Sequence, residues 1–187
     1  MTTPPGSRTE NRPAASAAAA VLPLGIGAAV AVALGVYGRL HDPTGVAINV
    51  AGFSGPQSVK SWLTTVAVVL AIVQLLSALA VYGKIPGPSW SGLLHRWSGR
   101  IAVLFTLPLV AHCLYALGFQ YGEPRVLVHS LLGCFFFGAF AGKMLVLTRN
   151  DAPAWLLPVV GGSVFTGLVG LWLTSSLWFF TTFGLNF

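Results

Sequence analysis

Two histidines, His112 and His129, stand inside apolar runs on either side of a short polar turn, in the stretch PLVAHCLYALGFQYGEPRVLVHSLLG. An imidazole in hydrocarbon is costly, and an ionisable residue placed there marks a functional position by default. Read as antiparallel helices joined by "QYGEPR", the flanking runs carry His112 before the turn and His129 after it. At about 1.5 Å of rise per residue, each imidazole lies roughly 6–9 Å below its helix end. Two imidazoles facing at one depth form the geometry that holds a flat cofactor between helices. Haem b asks for nothing more, because the porphyrin supplies the equatorial nitrogens and the protein adds only axial ligands. Zinc asks for about four ligands, and no third stands nearby. Cys113 follows His112 directly but points about 100° away on a helix. The same pair also suits hydrogen bonding between helices, or an ion or proton pathway.

Neighbouring residues suit the haem reading. Gly133 lies one turn deeper than His129 on the same face, where a missing side chain admits a porphyrin edge. Arg125 lies one turn nearer water on that face, and its guanidinium can pair with a propionate. Pro108 lacks an N–H and can bend the helix four residues before His112. Each has a plainer role as well: glycine in close helix packing, arginine reaching to the interface, proline in a simple kink.

The remaining candidates are scattered. His95, in "HRWSGR", is seventeen residues from His112, so about 25 Å away along one helix. A second haem there would need a partner, and only Lys143 or Met144 lies at suitable depth. His41, in "HDPTG", belongs to a turn on the side of the histidine pair, where it could cap the haem edge or meet a redox partner. Gln74 is a polar residue in mid-helix and is expected to bond a neighbouring helix. Cys113 and Cys134 fit no CxxC, zinc-ribbon or CxxCH pattern and read as inert buried thiols.

These residues are positioned by a chain that is 55% hydrophobic and 7% charged, against roughly a quarter charged in soluble domains. The expected fold is an all-α integral membrane bundle of five transmembrane helices, at about 17–38, 61–83, 97–118, 125–147 and 154–180. Residues 1–16 are polar and Pro-rich and read as a disordered cytoplasmic tail. The net charge of +6 is spread singly between apolar blocks, which argues against nucleic acid as a partner and for a topology signal. Arg8, Arg12, Lys84, Arg96, Arg100, Lys143 and Arg149 fall on one side, and Arg39, Lys60 and Arg125 on the other. That bias sets the N-terminus in the cytoplasm and the C-terminus outside the cell membrane. Trp155 and Trp178 suit the two interfacial belts. The 84–96 loop is expected to carry an apolar stretch along the membrane surface.

The segment HRWSGRIAVLFTLPLVAHCLYALGF, continued by RVLVHSLLGCFFFGAFAGK, resembles an uncharacterised family of actinobacterial multipass membrane proteins, as do "HDPTG" and KSWLTTVAVVLAIVQLLSALAVYGK. The likeness covers most of residues 36–180. More distantly, "HRWSGR" with His112 and "VHSLLG" resembles the cytochrome b561 and ferric-reductase-like group. That resemblance implies haem b held between helices and electron transfer, with His112 and His129 as axial ligands. Two-haem members need four ligands, whereas this chain offers one matched pair and an unmatched His95.

The expected function is electron transfer through one haem b near the outer leaflet, with a quinone or a redox protein as partner. No nucleophile–base pair, carboxylate dyad or phosphate loop points to hydrolysis or group transfer. A non-redox scaffold or assembly subunit with structural histidines is the main alternative. A small transporter is a third, set back because Glu10, Asp42, Glu123 and Asp151 all lie outside the spans.

Overall fold

Prolines and polar residues set where the helices begin, and apolar content sets how long they run. In the computed structural model, residues 18–187 apart from 48 are described, so the N-terminal tail with Arg8 and Arg12 lies outside the described residues. Helix α1 spans Ala18–Leu40 and α2 spans Pro56–Val81. Helix α3 spans Ser91–Leu117, α4 spans Pro124–Val146, and α5 spans Leu156–Phe183. All five are long and apolar enough to cross a membrane, and no strand occurs among the described residues. Their outer surfaces carry large apolar side chains such as Val32, Val69, Leu104, Leu131 and Val159, each more than a third exposed. An apolar belt of this kind suits a lipid bilayer.

Two boundaries differ from the sequence reading. Helix α2 starts at Pro56 rather than near 61, because proline with its fixed φ opens the helix and Gln57 to Lys60 continue it. Helix α3 starts at Ser91 rather than near 97, so His95 and Arg96 are helical and not part of a surface loop. The Ser91 hydroxyl donates to the Pro88 carbonyl at 2.7 Å, which fixes the chain as it enters that helix.

The helices form a ring in the order α1, α4, α5, α2, α3, as their packing partners show. Helices α3 and α4 follow one another in sequence but do not pack closely; they face each other across the interior. The reason is side-chain size. On α1 and α4, Gly27 meets Gly138 so tightly that a Cβ on Gly138 would fall 2.5 Å from the Gly27 carbonyl oxygen and 2.7 Å from Ala31 Cβ. Small residues allow this backbone approach, which drives helix association in lipid. At the other seam, the amide of Gln74 on α2 reaches the His95 carbonyl and the Ser98 hydroxyl on α3, the inter-helix bond expected of Gln74. Trp172 on α5 donates to Thr65 Oγ1 on α2 at 2.9 Å.

The ring is pinned at one end where α1 meets the α3–α4 turn. The Phe119 amide donates to the Gly38 carbonyl at 2.7 Å. Gly118, at φ 71°, turns the chain there, and a Cβ on it would come 2.9 Å from the same oxygen. The helix bearing His112 thereby ends at a fixed height against α1.

Candidate functional site

The last turns of α3 are wound as π-helix over His112–Leu117, as is a stretch of α5 over Leu173–Leu177, about one and a half turns before its end. In α3 the cause lies one turn back, where Pro108 has no N–H to give and the hydrogen-bond ladder slips. Such π segments leave carbonyls without their ordinary helical partners and recur at functional sites. Both occur at the end of the bundle that carries Arg39, Lys60 and Arg125.

His129 lies five residues into α4, and its Nδ1 is 2.9 Å from Thr174 Oγ1 in the π segment of α5. The Thr174 hydroxyl has one proton, which it can give to the Gly170 carbonyl at 2.8 Å. With that proton on Gly170, His129 Nδ1–H donates in the pair and Nε2 keeps its lone pair; with the hydroxyl turned to Nδ1, the roles reverse. The first is the arrangement that prepares a histidine for ligation, with the second nitrogen holding the ring in place.

A cleft between α3 and α4 opens beside this ring, with about 890 Å³ of empty volume including its mouth. Leu109, Val110 and Leu114 wall it from α3, Phe136 and Phe137 from α4, and Leu168 and Leu171 from α5. Its polar lining includes His129, Lys60, Thr64 and Ser130, together with the thiols Cys113 and Cys134. Its lining, mostly apolar with a few polar groups, is of the kind that holds a cofactor. Gly133 lines the cleft, and a Cβ there would meet only Leu171 Cδ2, at 4.0 Å.

His112 lies five residues before the end of α3, as His129 lies five after the start of α4. Both are thus about 7–8 Å from their helix ends. His112 is 7% exposed, its ring forms no hydrogen bond to another described residue, and it does not line the cleft. The structure thus brings the two histidines to one level but sets only His129 in the cleft wall.

Arg125 is engaged elsewhere. Its Nη1 donates to the Thr174 carbonyl at 2.7 Å, its guanidinium carbon lies 3.9 Å from the centre of the Trp178 ring, and Glu123 stands 3.8 Å away. Arg125 and His129 together clamp α4 to the π segment of α5. His41 stacks between Tyr37 and Tyr115, at 5.1 and 5.0 Å between ring centres, with Nε2 3.1 Å from the Tyr115 carbonyl. It packs over the end of α3 and does not line the cleft. His95 sits at the opposite end, its Nδ1 3.1 Å from the Gln74 carbonyl and 3.2 Å from Ser77 Oγ. Lys143 is half-buried on α4 and forms no ion pair among the described residues. Among those residues no three His, Cys, Asp or Glu side chains cluster as a metal site.

Sequence reasoning missed Thr174 and Lys60. Thr174 is 45 residues from His129, and no local pattern joins them. Lys60 was legible only as a topology charge, although a lysine on the cation-poor side of the spans already asks for a further reason.

No curated protein and no solved structure matches the chain. The comparisons show neither a cytochrome b561 or ferric-reductase likeness nor an actinobacterial origin. Residues 19–187 match a family of unknown function, DUF6529, and the chain belongs to that family.

Proposed function

We propose that the protein is a multipass membrane haem b protein that transfers electrons, with the α3–α4 cleft as its haem pocket. The observation that carries this reading is His129: a ring held through Nδ1 to Thr174 in the wall of an apolar cleft. Haem completes such a site with few protein ligands, since its own nitrogens fill the equatorial plane. His112 is the second axial ligand in this reading, supported by its matching depth on α3. To hold the same group, its ring would have to turn from its buried seat towards the cleft. Ligation from both faces leaves the iron no open position and favours electron transfer over oxygen chemistry.

The positive-inside bias supports a cell-membrane location with the N-terminus cytoplasmic, the C-terminus outside, and the haem near the outer leaflet. One haem near one face does not carry charge across a core of about 30 Å, so a quinone or a redox protein must exchange electrons with it.

A second reading, a non-redox scaffold, is favoured by one specific observation. His129 and Arg125 both bond Thr174, which is what a purely structural clamp between α4 and α5 would do. Haem content separates the two readings. Protein purified from haem-replete cells carries about one haem per chain in the first and none in the second.

A further inference from the structure

Beside the cleft lies a second hollow, about 570 Å³ including the open space at its mouth, lined by Gln57, Arg125, Val126 and Trp178 among others. The two hollows share Lys60, His129 and Ser175. Together they make one amphipathic cavity: an apolar body within the helices and a cationic mouth at the helix ends. Two cations border the mouth, but they are not equivalent. Arg125 already spends its guanidinium on the Thr174 carbonyl, the Trp178 ring and Glu123. Lys60, half-buried four residues into α2, has no ion pair and no side-chain hydrogen bond among the described residues. A half-buried ammonium without a counter-ion is costly, and an incoming anion relieves that cost.

We infer that Lys60 is the anchor for the acidic head of an amphipathic ligand whose apolar body fills the cleft, with a porphyrin propionate as the occupant that fits. The assignment deepens the haem reading and replaces Arg125, marked by sequence spacing for the propionate, with Lys60. The shared chemistry is a carboxylate or phosphate on an apolar body, so an acidic lipid is the other source of the same group.

The test uses iron-free protoporphyrin IX, which has the propionates but no iron for His129 to hold, and the full chain in phosphatidylcholine nanodiscs. Porphyrin fluorescence is titrated against wild type, Lys60→Met and Lys60→Arg, with the porphyrin dimethyl ester in parallel. Wild type and Lys60→Arg bind the acid about tenfold more tightly than the ester, as one charge-assisted pair supplies, and Lys60→Met loses that preference. Lys60→Arg keeps the charge and so separates lost recognition from lost folding. Exchange of the lipid for phosphatidylglycerol identifies the other source: it lowers acid binding in wild type and not in Lys60→Met if lipid headgroups use the same lysine. The inference is overturned if wild type binds no porphyrin, binds acid and ester equally, or keeps its preference in Lys60→Met. Failure of the haem reading looks different: the Lys60-dependent preference for the acid survives, while iron porphyrin gives no histidine-ligated spectrum.

Discussion

His129 Nδ1 and Thr174 Oγ1 lie 2.9 Å apart, and through this hydrogen bond α4 is tied to the π-wound turn of α5. The bond holds the His129 ring in the wall of the cleft. Thr174→Val keeps the shape and removes the acceptor. It is expected to cost about 1 kcal/mol, the net worth of one such bond, with the buried N–H left unpaired adding to it. Thermal unfolding in detergent micelles measures the loss; an unchanged midpoint would show that the bond holds nothing.

Gly138 is where α1 and α4 touch. Gly138→Ala sets a Cβ 2.5 Å from the Gly27 carbonyl oxygen, so the helices must separate, at about 1–3 kcal/mol. Gly25→Ala, on the same seam's helix but with nothing within 4 Å, is the control and is expected to be neutral or slightly stabilising. Equal unfolding midpoints for the two variants would contradict the packing.

Gly133 faces the cleft with room beside it. Gly133→Ala is tolerated, because its Cβ meets nothing nearer than 4.0 Å. Gly133→Phe fills the hollow, leaving a monodisperse protein by gel filtration that holds less than a tenth of the wild-type haem, an estimate from blocking most of the volume that binds the ligand. Full haem content in Gly133→Phe would place the cofactor elsewhere.

His95 belongs to the α2–α3 seam at the other end, with Gln74 and Ser77. His95→Ala leaves those polar groups short of a partner and is expected to cost about 1–3 kcal/mol. It leaves the haem spectrum unchanged, which measuring stability and absorbance on one sample checks. A halved haem content would instead indicate a second haem at that end.

Much of the fold was legible in the composition: five apolar runs give five spans, with α4 placed to within a residue at each end. The starts of α2 and α3 were hidden because Lys60, His95 and Arg96 look like loop residues until proline and serine are seen to open each helix. The packing of α3 against α4 differs for a tertiary reason. Consecutive α3 and α4 were expected to be immediate neighbours, yet the small residues Gly27, Ala31, Gly138 and Gly142 draw α4 to α1. Their four-residue spacing was present in the sequence and was the available signal. The bulky Leu109, Val110 and Phe137 stay between α3 and α4, lining the gap that became the cleft. The depth of His112 and His129 was readable from the rise per residue. The partner of His129 was not, because it is set by how α5 packs.

Haem ligation is tested most directly by absorption spectra of the purified chain, oxidised and then reduced with dithionite, beside His112→Ala and His129→Ala. Wild type is expected to show the sharp α-band of a reduced b-type haem, and both variants to lose it. A wild-type protein made with ample haem that shows no such band, or variants that both retain it, would rule out ligation by these histidines.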